Sequence, residues 1–224
     1  PVNVDYEPTH TSVELDVRGS RVKFDYPLVG RFNVSNVMTA FAIGMQLGFS
    51  QAGIIAALEE APQVPGRLER VSADHNGGVS VFVDYAHTPD ALQKAMTSIQ
   101  NITKGRTIVV FGCGGDRDAT KRSIMGRIAL GADYAVVTSD NPRTEDPLAI
   151  INDIVSGMGE GTDHFEIEPD RRLAIAAAMK HAQPSDSILI AGKGHEDYQL
   201  VGDKVLSFDD RVVAAEELER AFGE

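Results

Sequence analysis

From Gly66 onward, short and nearly continuous apolar runs alternate with helix-length segments, and that alternation admits few architectures. Thr107–Phe111, Tyr134–Thr138 and Ser187–Ala191 are apolar along almost their whole length. A strand with one face in water alternates apolar and polar residues. A run without alternation reads as a strand buried on both faces, as in a parallel sheet covered by helices. His164–Ile167 is a weaker run of the same kind. Helices are expected over Pro89–Ile99, Thr120–Leu130, Pro147–Met158, Asp170–Lys180 and Asp210–Phe222. Such an order implies right-handed crossovers and an α/β, doubly wound, mostly parallel sheet. Leu68–Ala73 and Val79–Tyr85 add two strands around Asp74–Gly78, where Asn76-Gly77 predicts a tight turn. Tyr198–Val201 and Lys204–Phe208 are spaced as a hairpin, expected at the sheet edge.

The first 66 residues follow another pattern. Val13, Leu15 and Val17, then Val22, Phe24 and Tyr26, alternate with polar residues across Gly19-Ser20, a hairpin signal over 12–17 and 21–26. Val34–Leu47 carries Val37, Phe41 and Met45 at helical spacing and ends at Gly48, a C-terminal cap. Ser50 is an N-cap for a helix over Gln51–Glu60. Pro62-Gln63-Val64-Pro65-Gly66 interrupts both periodicities, so the expected domains are 1–66 and 67–224.

Composition narrows the functional classes. The 224 residues carry a formal net charge of −12, which disfavours nucleic-acid and anionic-membrane partners. One cysteine, Cys113, rules out an internal disulfide and a cysteine-based metal site. No apolar run approaches a membrane span, so the expectation is a cytoplasmic protein and a monomer. The chain opens at Pro1 without a methionine, and an upstream segment is expected.

Ligands of doubly wound sheets bind beyond the carboxyl ends of the strands. Three distinctive loops fall there: Gly112–Asp118, Asp140-Asn141-Pro142-Arg143 and Gly192-Lys193-Gly194-His195-Glu196. In Gly112–Asp118 the glycines let backbone N–H groups face a ligand, but no Lys-Ser/Thr follows, so it is not a triphosphate loop. It reads equally as a tight turn with Arg117 in solvent. Arg143 suits a bidentate carboxylate contact, and Asp140 or Asn141 could accept from an ammonium group. Taken alone, that loop is more simply an Asn-Pro turn with Asp140 as a cap. Glu196 could take a second ammonium; Lys193 and His195 read as solvated loop residues. Asp84 ends a strand, where a carboxylate often meets a ribose, and Thr88 with Pro89 opens a helix. Asn33 and Asn36 share a helix face; on residue type alone both read as capping residues. No activated nucleophile stands out, so positioning and charge stabilisation are the expected chemistry.

Together, Gly30–Asn36, Asp84–Pro89, Asp140–Arg143 and Gly192–Glu196, in this order and spacing, resemble the C-terminal half of a Mur ligase. The third motif points to the branch adding meso-diaminopimelate. The resemblance implies a central ATPase domain, of which 1–66 is the tail, and a Rossmann-like C-terminal domain over 67–224. It implies that Asn33, Asn36, Arg67 and Asp84 serve ATP. Arg117, Asp140, Asn141, Pro142, Arg143, Gly192 and Glu196 then serve diaminopimelate, with Arg143 setting the preference over L-lysine. Glutamate of UDP-MurNAc-L-Ala-D-Glu would be activated as an acyl phosphate. ATP and Mg2+ are the implied cofactors, with the Mg2+ ligands and phosphate loop upstream. Catalytic and metal residues are therefore not expected in this chain, which by itself should neither hydrolyse ATP nor form the amide. Two competing readings are a stand-alone amino-acid or nucleotide binding domain and a related folylpolyglutamate or cyanophycin-type ligase.

Overall fold

The computed structural model describes residues 1–71, 77–159 and 163–223. The chain separates into two compact units, Pro1–Val64 and Pro65–Glu224, dividing inside the Pro/Gly stretch.

In the first unit, β1 (Asn3–Tyr6), β2 (Thr11–Val17) and β3 (Ser20–Tyr26) form an antiparallel sheet in that order. The β2–β3 connection is the two-residue Arg18-Gly19 turn, both residues at positive φ, so Ser20 pairs with Val17 inside the ladder. β1 is an addition to the expected strands: Asn3-Val4-Asp5-Tyr6 alternates polar and apolar residues, but over four residues only. Helix α1 (Arg31–Gln46) begins earlier than the apolar spacing indicates. Gly30 is its N-cap residue by backbone conformation, with no side-chain cap, so Asn33 and Asn36 lie inside the helix and do not cap it. α2 (Gln51–Glu59) starts at Ser50, whose hydroxyl accepts from Gly53 N–H at 3.2 Å. Val13, Leu15, Phe24 and Tyr26 of the sheet pack on Val37, Phe41 and Ile54 of the helices.

The second unit is built on a six-stranded sheet. Its strands are β4 (Glu69–Val71), β5 (Ser80–Asp84), β6 (Thr107–Phe111), β7 (Tyr134–Val137), β8 (Phe165–Ile167) and β9 (Ser187–Ala191). Their spatial order is β4-β5-β9-β6-β7-β8, with β4 antiparallel to β5 and the others parallel. β6 and β9 are buried at every residue, as their unbroken apolar runs require. Helices α3 (Pro89–Gln100), α4 (Thr120–Ala129) and α5 (Pro147–Val155) lie together on one side. α6 (Arg171–His181) and α7 (Asp210–Phe222) cover the other, packing Ala174, Ile175, Ala178, Val213 and Leu218 on the sheet. Thr88, Asp146, Asp170 and Asp209 cap four of these helices through their side chains. Asp140 caps none of them; Thr88 rather than Asp84 caps α3.

β10 (Tyr198–Val201) and β11 (Lys204–Ser207) do form an antiparallel hairpin. Contrary to expectation it is a sheet of its own and does not extend the edge of the larger one. Most of the Asp74–Gly78 turn, with Asn76, and the end of the Leu68–Ala73 strand lie outside the described residues.

α4 and α5 approach closely because two glycines face carbonyls. A Cβ on Gly126 would lie 2.1 Å from Ile154 O, and one on Gly157 would lie 1.8 Å from Ser123 O. Gly126→Ala is therefore expected to destabilise the second unit by about 1–3 kcal/mol, despite alanine's better helix propensity. Urea denaturation of the variant beside the parent measures this; an unchanged midpoint would show that the helices can separate cheaply.

Candidate functional site

The loops after β6, β7 and β9 meet at the carboxyl end of the sheet and line a cleft of about 520 Å³. Arg117, Asp140, Asn141, Arg143, Gly192 and Glu196 all line it. Pro142 is buried behind the wall, its carbonyl packed where a side chain on Gly115 would otherwise sit.

The loops are knitted by specific bonds. Gly115 N–H donates to Asn141 O at 2.9 Å, and Arg143 Nη1 donates to Gly115 O at 2.8 Å. Asp116 accepts from both the N–H and the hydroxyl of Thr144, which holds its carboxyl below the usual range. Arg143 itself has φ 52°, and its backbone pairs with the β10–β11 hairpin. Its N–H donates to Leu200 O at 3.0 Å and its carbonyl accepts from Gly202 N–H at 2.6 Å. Gln199 Nε2 donates to Asp140 O at 2.8 Å. The hairpin thus braces the loop that carries Arg143.

Two glycines keep the charged groups open. A Cβ on Gly192 would lie 2.5 Å from Asp140 Oδ2, and one on Gly114 would lie 2.9 Å from Arg143 Nη1. Gly192 also has φ 120°, which a side chain would strain.

Asp140 is the most informative group. It is 8% exposed; Oδ1 accepts from Asn141 N–H at 2.7 Å, while Oδ2 has no hydrogen-bond partner. A buried carboxylate oxygen without a partner carries a desolvation cost that a donor in the cleft would offset. Burial raises the Asp140 pKa, and the positive charges of Arg171 and Lys193 oppose the rise. Asn141, a candidate ammonium acceptor in the sequence, is already committed. Its Oδ1 accepts from Leu200 N–H at 2.9 Å and Lys193 Nζ at 3.3 Å, and its Nδ2 donates to Glu196 Oε2 at 2.9 Å.

Two basic residues were misread or missed in the sequence. Lys193 is not solvated: it is fully buried under the cleft. His195 is exposed, with its ring 5.4 Å from that of Tyr85. Arg171, the first residue of α6, is also fully buried and pairs with Asp210 through two 2.7 Å bonds. No spacing reveals that pair, since its members are 39 residues apart. Beneath the cleft Asp140 is faced by the cations Arg171 and Lys193 and by the Asp210 carboxylate, Arg171 pairs with Asp210, and Lys193 lies 3.4 Å from Glu196.

Of the residues assigned to ATP, Arg67 and Asp84 lie in the second unit. Asp84 is buried and accepts from Leu68 N–H at 2.7 Å. Burial raises its pKa; that N–H and the Arg67 charge oppose the rise. Arg67 lies 5.2 Å over the Tyr85 ring. Asn33 and Asn36 lie in the first unit, where Asn36 Nδ2 donates to Asn33 Oδ1 at 3.0 Å and Asn33 Nδ2 donates to Val29 O. Among the described residues, no group of three or more His, Cys, Asp or Glu converges to hold a metal. Among them too, no helix is long and apolar enough to cross a membrane.

A mostly parallel sheet with a polar cleft at the carboxyl ends of its strands defines an α/β domain, and comparison with known proteins specifies which. Residues 66–194 match the Mur ligase, glutamate ligase domain family, and the chain belongs to that family. It is 48% identical over 221 residues to the UDP-N-acetylmuramoyl-L-alanyl-D-glutamate–2,6-diaminopimelate ligase of Synechocystis sp., covering 96% of this chain and 43% of that protein. The same-named ligase of Thermosynechococcus vestitus is 50% identical over 188 residues, covering 84% and 38%. A solved structure of a ligase of that name superposes with a TM-score of 0.77 at 36% identity, covering 97% of this chain and 44% of the other. The chain thus spans about two-fifths of the length of these relatives.

Proposed function

We propose that this chain supplies the incoming-amino-acid site of an ATP-dependent ligase that joins meso-diaminopimelate to UDP-MurNAc-L-Ala-D-Glu. The observation carrying this reading is the buried, unpartnered Asp140 Oδ2 in one cleft with the Arg143 guanidinium and the Glu196 carboxylate. Diaminopimelate has two ammonium groups and two carboxylates, and the groups lining the cleft include the Asp140 and Glu196 carboxylates and the Arg143 and Arg117 guanidiniums. L-Lysine lacks the second carboxylate and would leave a guanidinium without its partner. The names of the similar ligases support the same substrate.

Arg67 and Asp84 in the second unit and Asn33 and Asn36 in the first are proposed to serve ATP. With no convergent acidic set among the described residues, no role with Mg2+ is assigned to this chain. The chain's own part in the reaction is to orient the attacking amine, remove water from around it and balance its charge. By itself it is expected neither to hydrolyse ATP nor to form the amide; turnover by the pure chain would overturn that.

Titration of the isotopically labelled chain with meso-diaminopimelate and with L-lysine, followed by NMR, tests the reading. Saturable shifts at Asp140, Arg143 and Glu196 with diaminopimelate, and much weaker ones with lysine, are expected. Equal responses would remove the specificity argument, and no response to either would remove the site assignment.

The pH dependence has a defined sign. A carboxyl whose folded pKa is raised favours the folded state below its unfolded pKa, and this contribution is lost as pH rises through the folded value. An ammonium ligand needs the ionised form, so affinity for diaminopimelate should fall as pH drops through the raised Asp140 pKa. In Asp140→Asn the part of the acid limb that belongs to Asp140 should vanish along with most of the affinity.

A further inference from the structure

The Lys193 amino group is a buried charge of the cleft floor that the reading above leaves without a task beyond balance. An ammonium group has three protons. Here they meet three acceptors from three segments: Tyr198 O at the start of β10, Asn141 Oδ1 at 3.3 Å, and Glu196 Oε2 at 3.4 Å. Asn141 Oδ1 receives two donors, Lys193 Nζ and Leu200 N–H, so its Nδ2 must turn to Glu196. Both hydrogen bonds to Glu196 fall on Oε2. Oε1 takes part in neither bond, and Glu196 lines the cleft.

We propose that Lys193 is a positioning residue for the amino-acid site, holding Glu196 and Asn141 so that Glu196 Oε1 and Asp140 Oδ2 are both presented to the ligand. The proposal rests on the reading of this cleft as an amino-acid site. Two features separate this role from a plain tie for the hairpin. A tie needs hydrogen bonds, and neutral groups supply them. A buried ammonium adds a charge at a desolvation cost, and a methionine would fill the space without that cost. The charge matters because carboxylates crowd this floor. Asp140 is faced by Arg171 from α6, by Lys193 from the β9 loop and by Asp210 from α7. Arg171 is already neutralised by its bidentate pair with Asp210. Lys193 is then the cation available to favour the ionised form of Asp140 while its own bonds hold Glu196 and Asn141 in place.

The test uses Lys193→Met, Lys193→Gln and, as a control on the site itself, Arg143→Ala. The Asp140 carboxyl is titrated by 13C NMR without ligand, and affinity for meso-diaminopimelate is measured on the same samples. Both Lys193 variants are expected to bind at least about 30-fold more weakly than wild type. In both, Asp140 should titrate at higher pH, because an opposing positive charge has gone. Near-wild-type binding, or an unmoved Asp140 midpoint, overturns the proposal. So does full affinity in Lys193→Gln, which keeps hydrogen bonding without the charge. If the wild-type chain ignores diaminopimelate while the Asp140 midpoint still moves in the variants, the substrate reading fails and the electrostatic role of Lys193 stands. Should neither variant fold, the 15Nζ signal of Lys193 in the wild-type chain decides. Slow solvent exchange and a shift on saturation with diaminopimelate support the proposal; fast exchange, or no shift, overturns it.

Discussion

Arg171→Met is expected to lower the stability of the Pro65–Glu224 unit by about 3–5 kcal/mol, the usual cost of breaking a buried ion pair from one side. Arg171 and Asp210 are both fully buried. The variant leaves the Asp210 carboxylate without water and without its partner. It also removes two ties between strand ends, from Arg171 Nη1 to Ser139 O at 3.2 Å and from Nη2 to Ala191 O at 3.1 Å. Ser139 immediately precedes Asp140, and Ala191 immediately precedes Gly192, so the loss reaches the cleft. The double variant Arg171→Met/Asp210→Leu should recover much of the stability, because two apolar side chains need no counter-charge. It should not recover ligand affinity, since the ties to Ser139 and Ala191 remain absent. Urea denaturation of the three proteins separates these outcomes. A single variant that loses under 1 kcal/mol would mean that water or a rearranged cation reaches Asp210.

Arg143→Ala is expected to weaken binding of meso-diaminopimelate by about 30-fold or more, the scale for truncating one member of a hydrogen-bonded charge pair. L-Lysine affinity should change little or improve slightly, since lysine never satisfied this guanidinium. The preference between the two ligands would then collapse, and that collapse, more than the loss itself, identifies Arg143 as the specificity residue. Arg143→Lys should recover only part of the preference, because a point charge cannot reproduce the planar fork. Stability should be little altered, as Arg143 Nη1 bonds only to loop carbonyls, those of Gly115 and Asn141. Calorimetric titration of both ligands into the three proteins reads this directly. Retention of the preference in Arg143→Ala would shift the second-carboxylate contact to Arg117.

Local sequence was enough for most strands of the sheet and for bringing the three cleft loops to one edge. β6 and β9 are legible because a strand buried on both faces must be apolar at every residue. The three loops could be placed together because parallel strands put their carboxyl ends on one edge. Capping residues such as Thr88 and Ser50 act on backbone groups within a few residues, so they too could be read locally. β1 alternates polar and apolar residues too, but its four residues are too short a run to stand out. The hairpin of β10 and β11 was visible in the sequence, but its place was not. Its docking depends on Arg143 adopting a positive φ and pairing its backbone with Leu200 and Gly202. Lys193 and Arg171 mark the limit most clearly. A lysine between two glycines and an arginine opening a helix both look solvated on residue type. Tertiary structure buries them because it brings Asn141, Glu196, Tyr198 and Asp210 within bonding distance from other parts of the chain. Desolvating a cation is tolerable only where such partners converge, and that convergence is a property of the folded chain.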